Sequence, residues 1–220
     1  MRRTLSNAPV LATAVVAVLA VATLAVVTGC SGKGLITSPE QPSPSFTGTS
    51  YYQSGKELFF GIDVRAARIG GPRTMLPLYL TIVRLEGDAP IYFGRESFVL
   101  ELPDRSRVPL ADYDEFSHDY DRSRADLRAV GTFIDALAGK FPEPPYSWLP
   151  LDFFPPRGSG TFPRETIDLR AQQLTHGFVY FRLPEEPPLD ARYKLLVTPQ
   201  RSETTFVIDF PPFRKDDKKP

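Results

Sequence analysis

The side chains that could do chemistry are few: one cysteine, Cys30; two histidines, His118 and His176; and a run of acids around the first of them. Histidine is the only side chain whose ordinary pKa lies near neutrality, so any proton relay or nitrogen ligand must use these two. His118 stands in Asp112-Tyr113-Asp114-Glu115-Phe116-Ser117-His118-Asp119-Tyr120-Asp121, the densest ionisable stretch of the chain. Asp112, Asp114, Glu115 and His118 are therefore the candidate ligands for a hard cation, or the candidate acids of a hydrolase. The calcium-loop pattern fails beyond Asp119, Asp121 and Ser123, because Arg124 takes the turn glycine's place and Val130 that of the closing glutamate. The expected reading of the run is a solvated face partly neutralised by Arg122, Arg124 and Arg128. His176 precedes Gly177 and is expected in a solvated turn. No G-x-S-x-G elbow, phosphate-cradling glycine loop or H-E-x-x-H pair occurs. Met75 and two separated histidines are too few soft ligands for copper. The expectation is a protein without catalysis and without a cofactor; the alternative is a metal-dependent or carboxylate-based hydrolase of envelope polymer.

Cys30 has a different setting. Arg2 and Arg3 open the chain, and no charge follows from Pro9 to Val27, a stretch of Ala, Val, Leu and Thr after the proline. This is the layout of an export signal, basic at the start and then apolar. Its length is close to the roughly 20 residues that span a bilayer, so an uncleaved anchor is the competing reading. Val27-Thr28-Gly29-Cys30 resembles the lipobox of bacterial lipoproteins, a branched residue and small residues before the cysteine. The resemblance implies that the thiol receives a diacylglycerol, that residues 1–29 are removed as a signal peptide, and that Cys30 becomes an acylated N-terminus. Several acyl chains, at about 0.8 kcal/mol per buried CH₂, hold a membrane where one would not. Ser31, in place of an aspartate, leans the family inference towards an outer membrane facing the periplasm in a cell with two membranes.

The remaining 191 of 220 residues are enough for one domain with its own core, which must hold without a disulfide once the only thiol is acylated. They carry 24 basic and 26 acidic groups, because Arg2 and Arg3 are the only charges lost. That balance gives no reason to expect nucleic acid as a partner. Residues 30–55, rich in Ser, Pro, Gly and Thr, read as a flexible tether. Residues 56–212 read as the folded body, and 213–220 as a charged tail.

The body is written mostly in strands. Leu58, Phe60, Ile62, Val64 and Ala66 alternate with Phe59, Gly61, Asp63, Arg65 and Ala67, the period of a half-buried strand. Leu76 to Leu85 is apolar on both faces and should be central. Short strands follow at Pro90–Phe93 and Phe98–Leu102, with a hairpin over Asp104-Arg105-Ser106 into Arg107–Leu110. Later come Glu165–Leu169, Gly177–Pro184, and a terminal hairpin of Arg192–Thr198 with Thr204–Phe210. Between them, at about 111–164, lies an insertion. Arg122 to Gly139 is predicted as the one helix, its N-cap Asp121 or Ser123 and its apolar stripe Leu127, Val130, Ile134 and Leu137. A proline-broken loop then carries Tyr146, Trp148, Leu149, Leu151, Phe153 and Phe154. Helix and loop are expected to fold back over an open end of the sandwich. The sharper expectation is that Tyr146, Trp148, Leu149, Phe153 and Phe154 form an exposed partner surface.

The F-x-L strand at Phe98 and Leu100, and I-D-L leading into G-F-V-Y-F-R-L-P at Gly177–Pro184, resemble the telokin-like, immunoglobulin-type domains of bacterial envelope lipoproteins. The resemblance covers Lys56–Leu110 and Glu165–Phe210 and departs at the insertion. It implies a mainly β protein, an immunoglobulin-like antiparallel β-sandwich placed outside the cytoplasm, with no catalytic residues to carry over. The function expected is lipid-anchored binding or scaffolding at the cell envelope, with the membrane and an envelope protein or polymer as partners. Substituting Cys30→Ser should abolish incorporation of labelled palmitate and release the chain from the membrane fraction, as metabolic labelling and fractionation would show.

Overall fold

A computed structural model describes residues 45–70, 74–130, 146–156, 158–184, 188 and 190–213. Cys30, Ile134 and Leu137 lie outside the described residues. The protein is mainly β, with sheets packed in a sandwich-like arrangement. Its longest strands are β4 (Met75–Arg84) and β10 (Gln173–Arg182), antiparallel neighbours in register from Leu174 opposite Val83 to Arg182 opposite Met75. All ten residues of β4 are buried, which is why its sequence lacks a polar face. One larger sheet is built around this pair, in the order β1 (Ser45–Thr47), β2 (Ser50–Ser54), β3 (Leu58–Asp63), β4, β10 and β8 (Ser147–Pro150).

Pro77 sits in this central strand at no cost to the ladder. Its partner is Tyr180, whose carbonyl accepts from Ala111 N at 2.8 Å, on the side away from β4. The missing N–H therefore faces the β3 side, where pairing has already ended at Asp63 opposite Tyr79.

The second sheet runs β12 (Phe206–Phe210), β11 (Tyr193–Val197), β6 (Phe98–Glu101) and β7 (Arg107–Pro109). The hairpins predicted at both of its ends are present. A two-stranded piece pairs β5 (Ile91–Gly94) with β9 (Thr166–Leu169), whose Ile167 and Leu169 point inward as their alternation requires. The layers meet through rings. Phe60 of β3 packs against Phe206 at 4.5 Å and edge-on to Phe93 at 5.9 Å, and Phe93 continues to Phe98 and Phe153. Such contacts add about 0.5–1.5 kcal/mol each beyond area burial.

Three expectations are corrected here. The stretch from Ser45 is not tether: β1 and β2 precede Lys56, and Ser50, Tyr51 and Gln53 are buried. Polar composition hid this, because Gln53 spends its amide oxygen on Val207 N at 2.6 Å and Ser50 its hydroxyl on Asp63 at 3.0 Å. The β3 alternation also stops early. The Asp63 carboxylate accepts from Arg65 N at 2.7 Å and turns the chain into α1 (Arg65–Gly70). Arg68 of α1 then ties Gly48 O, at 2.6 Å, to Pro211 O, at 3.0 Å, joining the first and last strands of the body.

The third correction concerns the insertion, which has two short helices among its described residues, α2 (Tyr113–Asp119) and α3 (Ser123–Ala129). Neither proposed cap acts: Arg122 occupies the N-cap of α3 without a side-chain bond, and Ser123 is buried. Of the predicted stripe, Val130 is buried and Leu127 is 44% exposed. The helices lie against the flank of the larger sheet rather than an open end, with Phe116 of α2 on Tyr180 of β10 at 4.5 Å. The aromatic segment is not all loop either, because Ser147–Pro150 pairs in parallel with Gln173–His176.

Beyond β8 the chain crosses behind Gly177, where an added Cβ would fall 2.7 Å from Leu151 O and 2.9 Å from Leu151 Cβ. Only glycine lets Leu151 and Phe153 enter the core here. Gly177→Ala should lower stability by about 1–3 kcal/mol through this overpacking, measured as a shifted urea midpoint with an unchanged slope.

Candidate functional site

The alternation of β10 sends His176, Phe178 and Tyr180 to the flank that carries the helices, and the register places Tyr79 of β4 opposite Phe178. The Tyr79 hydroxyl bonds the Nδ1 of His176. Burial holds the phenol well above its ordinary pKa, so it keeps its proton and can donate to Nδ1. With the phenol donating, the neutral imidazole carries its own hydrogen on Nε2. Among the described residues Nε2 makes no hydrogen bond and is not one of the fully buried polar atoms. His176 is thus half-buried in mid-strand, not in a solvated turn; the glycine that suggested a turn serves the Leu151 crossing instead.

Trp148 of β8 stands edge-on to His176, ring centroids 4.7 Å apart and planes at 86°. It is 54% exposed, although an indole buried here would remove a large apolar area from water. Beside this pair lies a cleft of about 160 Å³, walled by Tyr79, Phe178, Leu151, Pro155 and Leu127, with Ser123, Asp152 and His176 as its polar groups. Asp152 pairs with Arg164 at 3.7 Å. Arg95 fixes the far wall, donating to Phe153 O at 3.0 Å and to Ala111 O at 2.5 Å, with its guanidinium 4.7 Å from the centre of the Phe154 ring. Desolvation lowers the pKa of Arg95, opposed by Glu165 and Asp112.

The sequence-derived surface residues separate. Trp148 is exposed, and Tyr146 and Leu149 are half-buried. Phe153 and Phe154 are corrected, being 0% and 5% exposed: Phe153 meets Phe98 in the core and Phe154 packs on Phe116 and Tyr180. They position the surface and cannot anchor a partner.

The acidic candidates do not converge. Asp112 caps α2, accepting from Asp114 N at 2.7 Å and Glu115 N at 3.4 Å. Glu115 faces Arg182 of β10 at 3.4 Å. His118 shares Nδ1 with the backbone oxygen of Asp114 at 2.7 Å. Acids in the first turn and a histidine in the last complement the helix dipole. Among the described residues no three His, Cys, Asp or Glu side chains gather as a metal site. The one buried carboxylate in this region, Asp126, accepts from Tyr120 at 2.6 Å and Tyr180 at 3.3 Å, fastening α3 to β10.

Known proteins offer no guide. No family model, curated protein or solved structure matches the chain.

His176 makes the site pH-sensitive. Desolvation lowers its pKa below the ordinary 6.5, so the folded state disfavours the imidazolium. Its contribution to stability is fully present above pH 6.5 and is lost as pH falls from there towards the depressed folded value. Urea midpoints taken from pH 7.5 down to 5 should therefore decline in the wild type, with a smaller decline in His176→Asn.

Proposed function

We propose that this chain is a lipid-anchored binding or scaffolding protein of the cell envelope, acting without catalysis and related in plan to the telokin-like envelope lipoproteins. The observation that carries the reading is Trp148, a large aromatic side chain left exposed on the last strand of the larger sheet and braced by His176. Aromatic anchors of this kind supply much of the energy of protein contacts. Its support is rigid: β8 is fixed on β10, the longest strand pair lies behind it, and Arg95 clamps the segment that follows.

Two of the acids that a hydrolase would need are engaged, Asp112 with backbone amides and Glu115 with Arg182, which favours binding over hydrolysis. The lipobox pattern around Cys30 supplies the membrane as one partner, with an envelope protein or polymer as the other. No helix among the described residues is long and apolar enough to cross a membrane.

Crosslinking in intact envelopes, followed by recovery of the chain, tests the reading. Trp148→Ala should remove or deplete at least one crosslinked partner found with the wild type. An unchanged set of partners would take this edge out of the function.

A further inference from the structure

The cleft beside Trp148 has a chemistry more specific than an apolar groove. Leu127, Leu151 and Pro155 offer apolar wall, while three groups of different character stand among them: the imidazole of His176, the hydroxyl of Ser123 and the carboxylate of Asp152. With Tyr79 donating to Nδ1, Nε2 donates, the carboxylate only accepts, and the hydroxyl does both. Ser123 and Nε2 make no hydrogen bond among the described residues. An occupant must therefore combine an apolar face with edge groups that both donate and accept.

We propose, building on the reading of this edge as a binding surface, that the cleft takes one sugar ring of a neutral glycan. A pyranose carries C–H groups on its faces, which suit the apolar walls Leu127, Leu151 and Pro155, and hydroxyls around its rim, which can accept from Nε2–H and donate to Asp152. The size agrees: about 160 Å³ is well short of the roughly 300–1,000 Å³ of pockets for drug-sized ligands, and holds one ring of a longer polymer.

Other occupants fit less well. An anion would find no lysine or arginine among the described lining residues, and nearby Arg164 already faces Asp152. A hard cation would find a single carboxylate. An acyl chain would leave the three polar groups unpaired. A peptide adding a strand to β8 would meet Pro150, which has no N–H to give.

Trp148 is the only tryptophan, so its emission reports on the cleft of the intact chain. Purified full-length protein would be titrated with cellotriose and with triacetylchitotriose, both neutral, and with trigalacturonate as the anionic counterpart. The expected result is a saturable millimolar response to at least one neutral trimer, weakened roughly five- to tenfold in Asp152→Asn and in Ser123→Ala, with the weaker response to trigalacturonate. Urea midpoints identify which of the two variants is folded and may be read. No saturation with either neutral trimer, equal affinity in a folded variant, or tighter binding of trigalacturonate overturns the proposal. The two readings fail separately. Loss of a crosslinked partner in Trp148→Ala without any glycan response leaves the binding edge and removes the sugar, whereas an unchanged set of partners removes the edge itself.

Discussion

The pairing of β4 with β10 is the constraint on which the remaining structure rests. Nine consecutive residue pairs hold two strands in a single register, and every β4 side chain is buried. A slip by one residue would send Tyr79, His176 and Phe178 to the opposite face. The same slip would carry Leu78, Leu80 and Val179 to the face under the helices, into spaces shaped for other side chains. Burial on both faces makes such a slip costly, so the Tyr79–His176 contact inherits its geometry from the hydrophobic effect rather than from its own hydrogen bond.

The flank built on this pair divides its polar groups into two kinds. Asp126, Tyr120 and Tyr180 form one buried set, in which one carboxylate accepts two phenols and burial raises the pKa of Tyr180 well above its ordinary value. Asp63 is similar: fully buried, it meets Ser50, Thr49 and Arg65, and desolvation still raises its pKa against them. These groups fasten helices and turns to the sheet. His176 differs, because among the described residues one nitrogen is engaged and the other is not. That asymmetry separates a structural polar contact from one with capacity to spare.

The strands were legible in the sequence wherever burial follows a simple period. β4, the β6–β7 hairpin and the β11–β12 hairpin stand where alternation and turn residues place them. What escaped is what depends on distant partners. Gln53 and Ser50 look solvated until Val207 and Asp63 are brought beside them. Asp112 looks like a ligand until it is seen capping α2, and Gly177 looks like a turn until Leu151 passes behind it. Phe153 and Trp148 are five residues apart in the same aromatic run, and only the packing of Phe98 against one and of His176 beside the other tells a core residue from a surface one.

The order of the larger sheet has a mechanical side. β1 forms one margin and β8 the other, with four strands between them. Five interstrand steps of about 4.8 Å set the margins roughly 24 Å apart. The exposed indole of β8 thus stands at the rim opposite β1, so that a load applied between the two rims is carried across the hydrogen-bonded rungs of every intervening strand.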